Sequence, residues 1–441
     1  MIATLNRRSL LDALELARKW VAPTKDSPPI CSTVLLRTAG DVVELVRSDL
    51  DREVLIRLDA AIGRHGEAIV SANALYRIAK TSRATTLGLS LAPGDQQRAT
   101  SPILSIDAGP AAYDLVGWMS EGGFPEAADG AAESLASRLP ASTLRWLVGA
   151  TVYAAGPAND SPTDCLELTF GAGTIRALAT DGHRAAISDL VHGDAGAFGE
   201  PIYLPGDTAA RLLALKAECM VGLALRAHGR LSINLGRGTF LSCRAVDRAY
   251  PDVESVVRRL DVAGEVVAQR EQLVAALDRA SAVLDGSPVR LSACDDQLTV
   301  SGSTPDGARI VEHFPARADG TERQVYVNPS YATDALRALT SSEVSLRIGA
   351  EALVVRPVLQ DDMTQRQLAV VMPCKEPELR EVPTSPGRLG VTAEAIAAEL
   401  AKHPGDAVES VTVTIHGEGS ATIHRKDATA KKGRGKAKGS R

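Results

Sequence analysis

The residues most open to a chemical reading are Asp181 and His183, a carboxylate and an imidazole two positions apart in ATDGHRAA, residues 179–186. With a Ser or Cys nucleophile, such a pair would suit a hydrolase or transferase, because a carboxylate can orient an imidazole that accepts a proton. Nothing nearby extends the pair into a catalytic set. The chain has no GxSxG elbow, HExxH helix, GxxxxGK phosphate loop or GxGxxG turn. Its six cysteines (Cys31, Cys165, Cys219, Cys243, Cys294 and Cys374) form no CxxC pair. That spacing argues against a structural zinc site and fits the reduced thiols of a cytosol. The residues therefore point to a non-enzymatic protein with no metal and no cofactor.

The 441 residues are 45% hydrophobic but only 3% aromatic, enough for three domains with an appendage and for cores of Leu, Val, Ile and Ala. No apolar run reaches the roughly 20 residues a membrane helix needs. The start, MIATLNRRSLLDALELARKW, reads as a strand leading into an amphipathic helix and not as a signal peptide. A cytoplasmic protein is expected. Residues 425–441 hold eight Lys or Arg and one Asp, which leaves the rest of the chain at 41 basic against 53 acidic residues, a net −12. An acidic body excludes a simple groove-reading DNA binder, so any DNA contact must come from locally placed charge.

The elements repeat. Amphipathic helices begin near Asn6, Pro140 and Gln269, and Leu10, Leu144 and Leu273 recur at spacings of 134 and 129 residues. About 60 residues later each is followed by a strand and a second helix, starting at Ser71, Pro205 and Asn328, residue types suited to helix starts. Period-two strands come next: Leu87/Leu89/Leu91, Val221/Leu223/Leu225 and Val344/Leu346/Ile348. The order predicts an α+β chain of three tandem domains, each with two helices packed on antiparallel sheet, able to join head to tail into a ring.

ATDGHRAA resembles the ATDGHRLA signature of the bacterial DNA polymerase III β sliding clamp family. Three further stretches are similar to that family's own: Asp247 to Val257 (DRAYPDVESVV) to its D-x-x-FPDYxxVxP turn, Val370 to Lys375 (VVMPCK) to its closing VMPMR, and VYVNPSYATDALRAL to its F-x-VNxxYLxDxLxxL helix start. The likeness spans residues 1–376. It implies clamp domains at 1–132, 133–259 and 260–376, in a homodimeric ring with helices lining the hole. It also implies sliding on double-stranded DNA without sequence preference, and contact with a DNA polymerase, a clamp loader and other proteins bearing a clamp-binding motif. An alternative is a clamp-like accessory protein that binds partners without encircling DNA.

By the same resemblance, a partner-peptide cleft would be formed by Thr180, Gly182, His183, Arg184 and Ala185 with Pro251, Ser255, Val256, Val370, Met372 and Pro373. Apolar walls with a polar rim, including an adaptable Met, suit a short peptide. Ala185 replaces the family's Leu, Ser255 its frequent Arg, and Thr163-Asp164-Cys165 its Leu-Asn-Gly, so an altered peptide preference is expected. On the second helix, Leu75, Ile78 and Ala79 should face the sheet and turn Arg77 and Lys80 outward. These two, with Lys25, Arg145, Arg270 and Arg279, are the expected DNA-facing cations, while Asp207 argues for a less positive hole. Leu104, Ile106, Val283 and Leu284 are the expected dimer contacts.

Residues 377–424 read as a linker and a small extension. Thr392 to Lys402 can form a helix with Ile396 and Leu400 on one side, and Val411/Val413/Ile415 with Ala421/Ile423 form a hairpin about Gly417-Glu418-Gly419. The basic run 425–441 reads as a disordered tail, either a tether for phosphates or a solubilising end.

Overall fold

One motif, strand–helix–strand–strand–strand, accounts for the structure up to residue 376. The computed structural model describes residues 1–92, 101–118, 123–125, 137–158, 161–171, 173–193, 200–216, 219–226, 229–247, 249–260, 264–318, 322–358, 364–376, 408–416 and 420–427. Within them the motif occurs six times. The first copy is β1 (Ile2–Asn6), α1 (Arg7–Trp20), β2 (Thr33–Ala39), β3 (Val42–Ser48) and β4 (Arg52–Arg64). The second is β5 (Glu67–Ser71), α2 (Ala72–Thr81), β6 (Thr86–Ala92), β7 (Ile103–Asp107) and β8 (Ala112–Val116). The third is β9 (Ser137–Pro140), α3 (Ala141–Gly149), β10 (Cys165–Gly171), β11 (Thr174–Thr180) and β12 (Arg184–Val191). The fourth is β13 (Ile202–Pro205), α4 (Gly206–Arg211), β14 (Met220–Arg226), β15 (Arg230–Gly236) and β16 (Thr239–Arg244). After a short helix, α5 (Val253–Arg259), the fifth is β17 (Val266–Gln269), α6 (Arg270–Val283), β18 (Val289–Cys294), β19 (Gln297–Ser303) and β20 (Arg309–Ala318). The sixth is β21 (Arg323–Val327), α7 (Pro329–Arg337), β22 (Glu343–Ile348), β23 (Leu353–Pro357) and β24 (Gln365–Val371). Successive pairs of motifs correspond to the three blocks read from the sequence. The expected boundary near residue 132 lies outside the described residues, and α5 occupies a stretch expected only to turn.

The helix starts follow their capping chemistry. Asn6 Oδ1 accepts from the backbone N–H groups of Arg8 and Ser9, Ser71 Oγ from Ala74, and Asn328 Oδ1 from Ser330 and Tyr331. Pro205 offers no such acceptor, and α4 lasts six residues before a 3-10 turn at Leu212–Ala214, shorter than its sequence suggested. Leu75, Ile78 and Ala79 are buried under α2 while Arg77 and Lys80 are exposed, as their spacing required.

All the named strand pairings are antiparallel. Two of them carry sheet from one block into the next. β4 pairs with β16, from Arg52 opposite Cys243 to Ile56 opposite Thr239, and β12 pairs with β24, from Arg184 opposite Val371 to Leu190 opposite Gln365. In each seam the closing strand of a block's first motif meets the closing strand of the next block's second motif. The helix-side cores of blocks one and two merge into one apolar cluster, whereas block three keeps its own.

Two expectations about the ends of the sheets are corrected. Leu104 and Ile106 are fully buried in the core, because β7 lies between β6 and β8 and the true edge is β8. Leu284 is likewise buried in the block-three core, while its neighbour Val283 is 44% exposed.

A second, separate unit holds most of the C-terminal extension. Its strands β25 (Val408–His416) and β26 (Ser420–Asp427) form the expected hairpin, with Val413 opposite Ile423 and Ile415 opposite Ala421. β26 takes in Arg425, Lys426 and Asp427, which the sequence assigned to the tail. The linker, the expected helix at 392–402, the Gly417-Glu418-Gly419 turn and residues 428–441 lie outside the described residues. No helix among the described residues is long and apolar enough to cross a membrane.

Trp20 ties α1 to the first seam. Its indole N–H donates to the carbonyls of Glu53 on β4 (2.9 Å) and Ser242 on β16 (3.2 Å). Trp20→Phe keeps most of the apolar volume and leaves both carbonyls in the β4–β16 ladder but removes the indole's bonds to them, so urea unfolding should show a loss of about 0.5–1.5 kcal/mol.

Candidate functional site

The turn between β11 and β12 is held by its own side chains. Asp181 Oδ1 accepts from the backbone N–H groups of His183 (2.8 Å) and Arg184 (2.9 Å), and Oδ2 from Arg184 Nε (3.0 Å). Thr180 Oγ1 accepts from Gly182 N–H and donates to the carbonyl of Arg184. Gly182 takes φ +86°, a left-handed conformation that glycine enters at little cost. The Asp181 carboxylate is therefore spent on the turn and on Arg184. The exposed His183 ring instead lies 6.4 Å from the Tyr331 ring. The dyad that an enzyme reading requires is not formed. Nor do any His, Cys, Asp or Glu side chains cluster as metal ligands among the described residues.

Arg184 crosses the second seam. Its Nη1 donates to Asp334 on α7 at 2.6 Å, and its guanidinium carbon lies 4.4 Å from the Tyr331 ring centroid and 5.6 Å from that of Tyr153. On the adjoining strand, Met372 N–H donates to the carbonyl of His183 at 2.8 Å. Tyr250 fixes the approach to α5: its hydroxyl accepts from Thr180 N–H, donates to the carbonyl of Cys165, and its ring stacks on Tyr203 at 5.4 Å. Burial, foremost, pushes the Tyr250 hydroxyl well above its usual range, so it keeps its donated proton.

The seam sheet is apolar on its outer face as well. Leu178, Ala185, Ile187, Val354 and Val370 pack there with Val253, Val257 and Leu260 of the α5 segment. Asp252 caps α5, and Arg176 joins Glu254 on α5 to Asp189 on β12.

These contacts sort the expected cleft residues. Gly182, His183, Pro251, Val256 and Met372 are exposed, and Arg184, Ser255 and Pro373 are half-buried. Thr180, Ala185 and Val370 are buried in the seam, so Ala185 and Val370 lie beneath the surface and are not its open walls. Sequence reading missed Tyr331 and Asp334. Their spacing of three on one helix was the available signal, since such positions share a face.

The first seam carries a sister turn. Asp49 holds Arg52 through backbone and side chain (2.7 and 3.0 Å), Leu50 sits at φ +80°, and Arg52 Nη1 reaches Asp207 on α4 at 2.5 Å. Asp207, expected to make the helix-lined surface less positive, is thus matched by Arg52.

Comparisons with known proteins agree with this architecture. Residues 261–374 match the family model for the DNA polymerase III beta subunit, C-terminal domain. The beta sliding clamp of Pseudomonas putida is 27% identical over 352 residues, 78% of this chain and 92% of the relative. That of Escherichia coli is 25% identical over 387 residues, 84% and 99% respectively. The DNA polymerase III subunit beta from Pseudomonas aeruginosa superposes with a TM-score of 0.75 at 24% identity, covering 85% of this chain and all of that one. Over most of its length the chain is similar to the β sliding clamps, at 24–28% identity to those relatives.

Within a clamp fold, the six expected DNA-facing cations separate. Lys25, Arg77 and Lys80 are exposed and make no ion pair among the described residues. Arg145 is half-buried on α3. Arg270 is corrected: its Nε donates to the carbonyl of Ser341 at 2.7 Å, bracing α6, as Arg7 braces α1 through the carbonyls of Ala84 and Ala79. Arg279 is corrected too, because it is bound bidentately to Glu312 on β20 at 2.7 and 2.6 Å. Arg18, not anticipated, stacks 4.1 Å from the Tyr76 ring beside Lys80.

Arg184 serves two carboxylates on two blocks with a planar fork that lysine cannot reproduce. Arg184→Met should lower stability by about 1–3 kcal/mol in urea titrations, with no rescue by Arg184→Lys.

Proposed function

We propose that this chain is a DNA sliding clamp: a homodimeric ring that encircles duplex DNA and tethers a polymerase, a clamp loader and other proteins through the seam between its second and third domains. The domains are those of residues 1–132, 133–259 and 260–376. The protein acts in the cytoplasm and catalyses no reaction of its own.

The observation that carries the reading is a pair of strands left over by the seams. Each seam joins the closing strand of a block's first motif to the closing strand of another block's second motif. By that rule β20 of block three and β8 of block one still lack such a neighbour among the described residues. A third seam of the same kind between two copies would complete both edges. Heterologous contacts of this sort close into rings when the rotation permits. If the third seam keeps the register of the existing two, Arg309 of one copy would stand opposite Asp114 of the other: Arg309 pairs with Ser303 as Ala185 pairs with Thr180, and Asp114 pairs with Ser105 as Val370 pairs with Val354.

Charge on the helices supports sliding over phosphates. Those of block one carry six Lys or Arg against two carboxylates, those of block two have two against one, and those of block three have three against three. Few unmatched cations give weak, salt-sensitive contact without base reading. Retention must then come from topology. Loaded with a clamp loader, the protein should stay on nicked circular DNA and fall off once the circle is cut. Arg309→Glu should abolish retention and shift sedimentation to monomer, and Arg309→Glu with Asp114→Arg should restore both. Tight binding to short linear duplex, or a dimer indifferent to both substitutions, would refute the ring.

For the peptide cleft, Met372 (36% exposed) and Val256 (53% exposed) are the apolar side chains offered to a partner. Met372→Ala with Val256→Ala should weaken a clamp-binding peptide about tenfold or more, each truncation removing roughly 1 kcal/mol of apolar contact. Val370→Ala would act chiefly on stability, since that side chain is buried. Calorimetric titration with a peptide from a partner polymerase checks this.

A further inference from the structure

The first seam repeats the frame of the second with different chemistry in it. At the second seam, Met372 N–H donates to the carbonyl of His183 and Cys374 N–H to that of Tyr326. At the first, Arg244 N–H donates to Asp51 and Val246 N–H to Tyr203, at 2.8 and 2.9 Å. Asp51 therefore stands where the second seam has His183, and Arg244 where it has Met372. Counting from the helix starts at Pro205 and Asn328, Thr208 takes the place of Tyr331. An apolar, aromatic lining has become a charged one.

This place is an open cleft of about 1250 Å³, larger than the roughly 300–1,000 Å³ of small-molecule pockets. Asp51, Glu200 and Asp247 border it, all exposed and without ion-pair partners among the described residues. Arg52 is matched by Asp49 and Asp207, which leaves Arg244, among the described lining residues, as the cation opposing those three carboxylates. Leu225, 39% exposed, adds an apolar contact. Burial, then the negative charge of Glu167, raises the Tyr203 hydroxyl in the floor, and Glu200 and Asp247 push it the same way.

We propose that this first-seam cleft is a second docking site, for a basic segment of a partner protein in which Lys or Arg alternates with aliphatic residues. The inference rests on reading the equivalent second seam as a peptide cleft. Its carboxylates would repel nucleic-acid phosphates, so the partner is protein. Size and openness suit a chain segment, and the unmatched carboxylates select positive charge.

The test is fluorescence anisotropy on the full chain with a labelled peptide alternating leucine and lysine, and a control with glutamate for lysine. The lysine peptide should bind and the glutamate peptide should not. Asp51→Asn with Asp247→Asn should weaken the lysine peptide about tenfold, while Met372→Ala with Val256→Ala leaves it unchanged. Both pairs are exposed, so unaltered melting curves will show that each variant is folded. Absence of binding at millimolar peptide overturns the proposal. So does equal binding of the glutamate peptide, or loss only in the Met372 and Val256 variant, which would place the peptide in the second seam. Failure of the polymerase peptide to depend on Met372 would instead refute the second-seam cleft and leave this result standing.

Discussion

An unpaired sheet edge presents a row of amide and carbonyl groups that must find partners or water, and this molecule is organised around that demand. Every motif ends in a strand whose outer side is open. Where another block supplies the matching strand, the sheet runs on, as in β4 with β16 and β12 with β24. Helices then have one side of a long sheet to cover, and the apolar stripes of α1, α2, α3, α6 and α7 follow from it. The same demand leaves β8 and β20, among the described residues, without a seam neighbour, and in the proposed ring assembly and fold would rest on one kind of hydrogen-bonded pairing.

The seams are alike in backbone and unlike in how their cores are joined. At the first, Trp20 bonds carbonyls on both strands and the helix-side cores of the two blocks fuse. At the second, the cores stay separate and the outer face gains an apolar cluster roofed by α5. An apolar outer face with Met372 and Val256 at its margin leaves surface for a partner to cover. The first seam joins chiefly through its inner core, beside a smaller outer-face cluster of Leu35, Val46 and Ile69, and its cleft is lined by charge.

Much of the fold was legible in the sequence because period and capping are local. Leu10, Leu75, Leu144 and Leu273 mark helix faces, Asn6, Ser71 and Asn328 mark starts, and alternation marks β6, β14 and β22. What lay beyond reach depends on contacts between residues distant in the chain. Leu104 and Ile106 read as edge residues because nothing local announces that β8 lies outside β7. Arg270 and Arg279 read as outward cations because periodicity gives a direction, while Ser341 and Glu312, which engage them, come from other elements. Val370 read as a wall for the same reason: its burial depends on Leu178, Ala185 and α5.

The Asp181 and His183 pair shows how residue types mislead until the backbone is known. In ATDGHR the carboxylate and imidazole suggest proton transfer, yet the carboxylate faces two backbone amides and Arg184, and those bonds form the turn. Ser48-Asp49-Leu50-Asp51-Arg52 builds the same turn without a histidine, which makes the aspartate-to-arginine spacing of three the structural element and the residue between them free to vary. Even the left-handed position tolerates leucine at Leu50, at the cost of strain that the Arg52 contacts offset. The turn fixes where the exposed residue sits, and the identity of that residue, histidine beside methionine or aspartate beside arginine, then determines what each seam can hold.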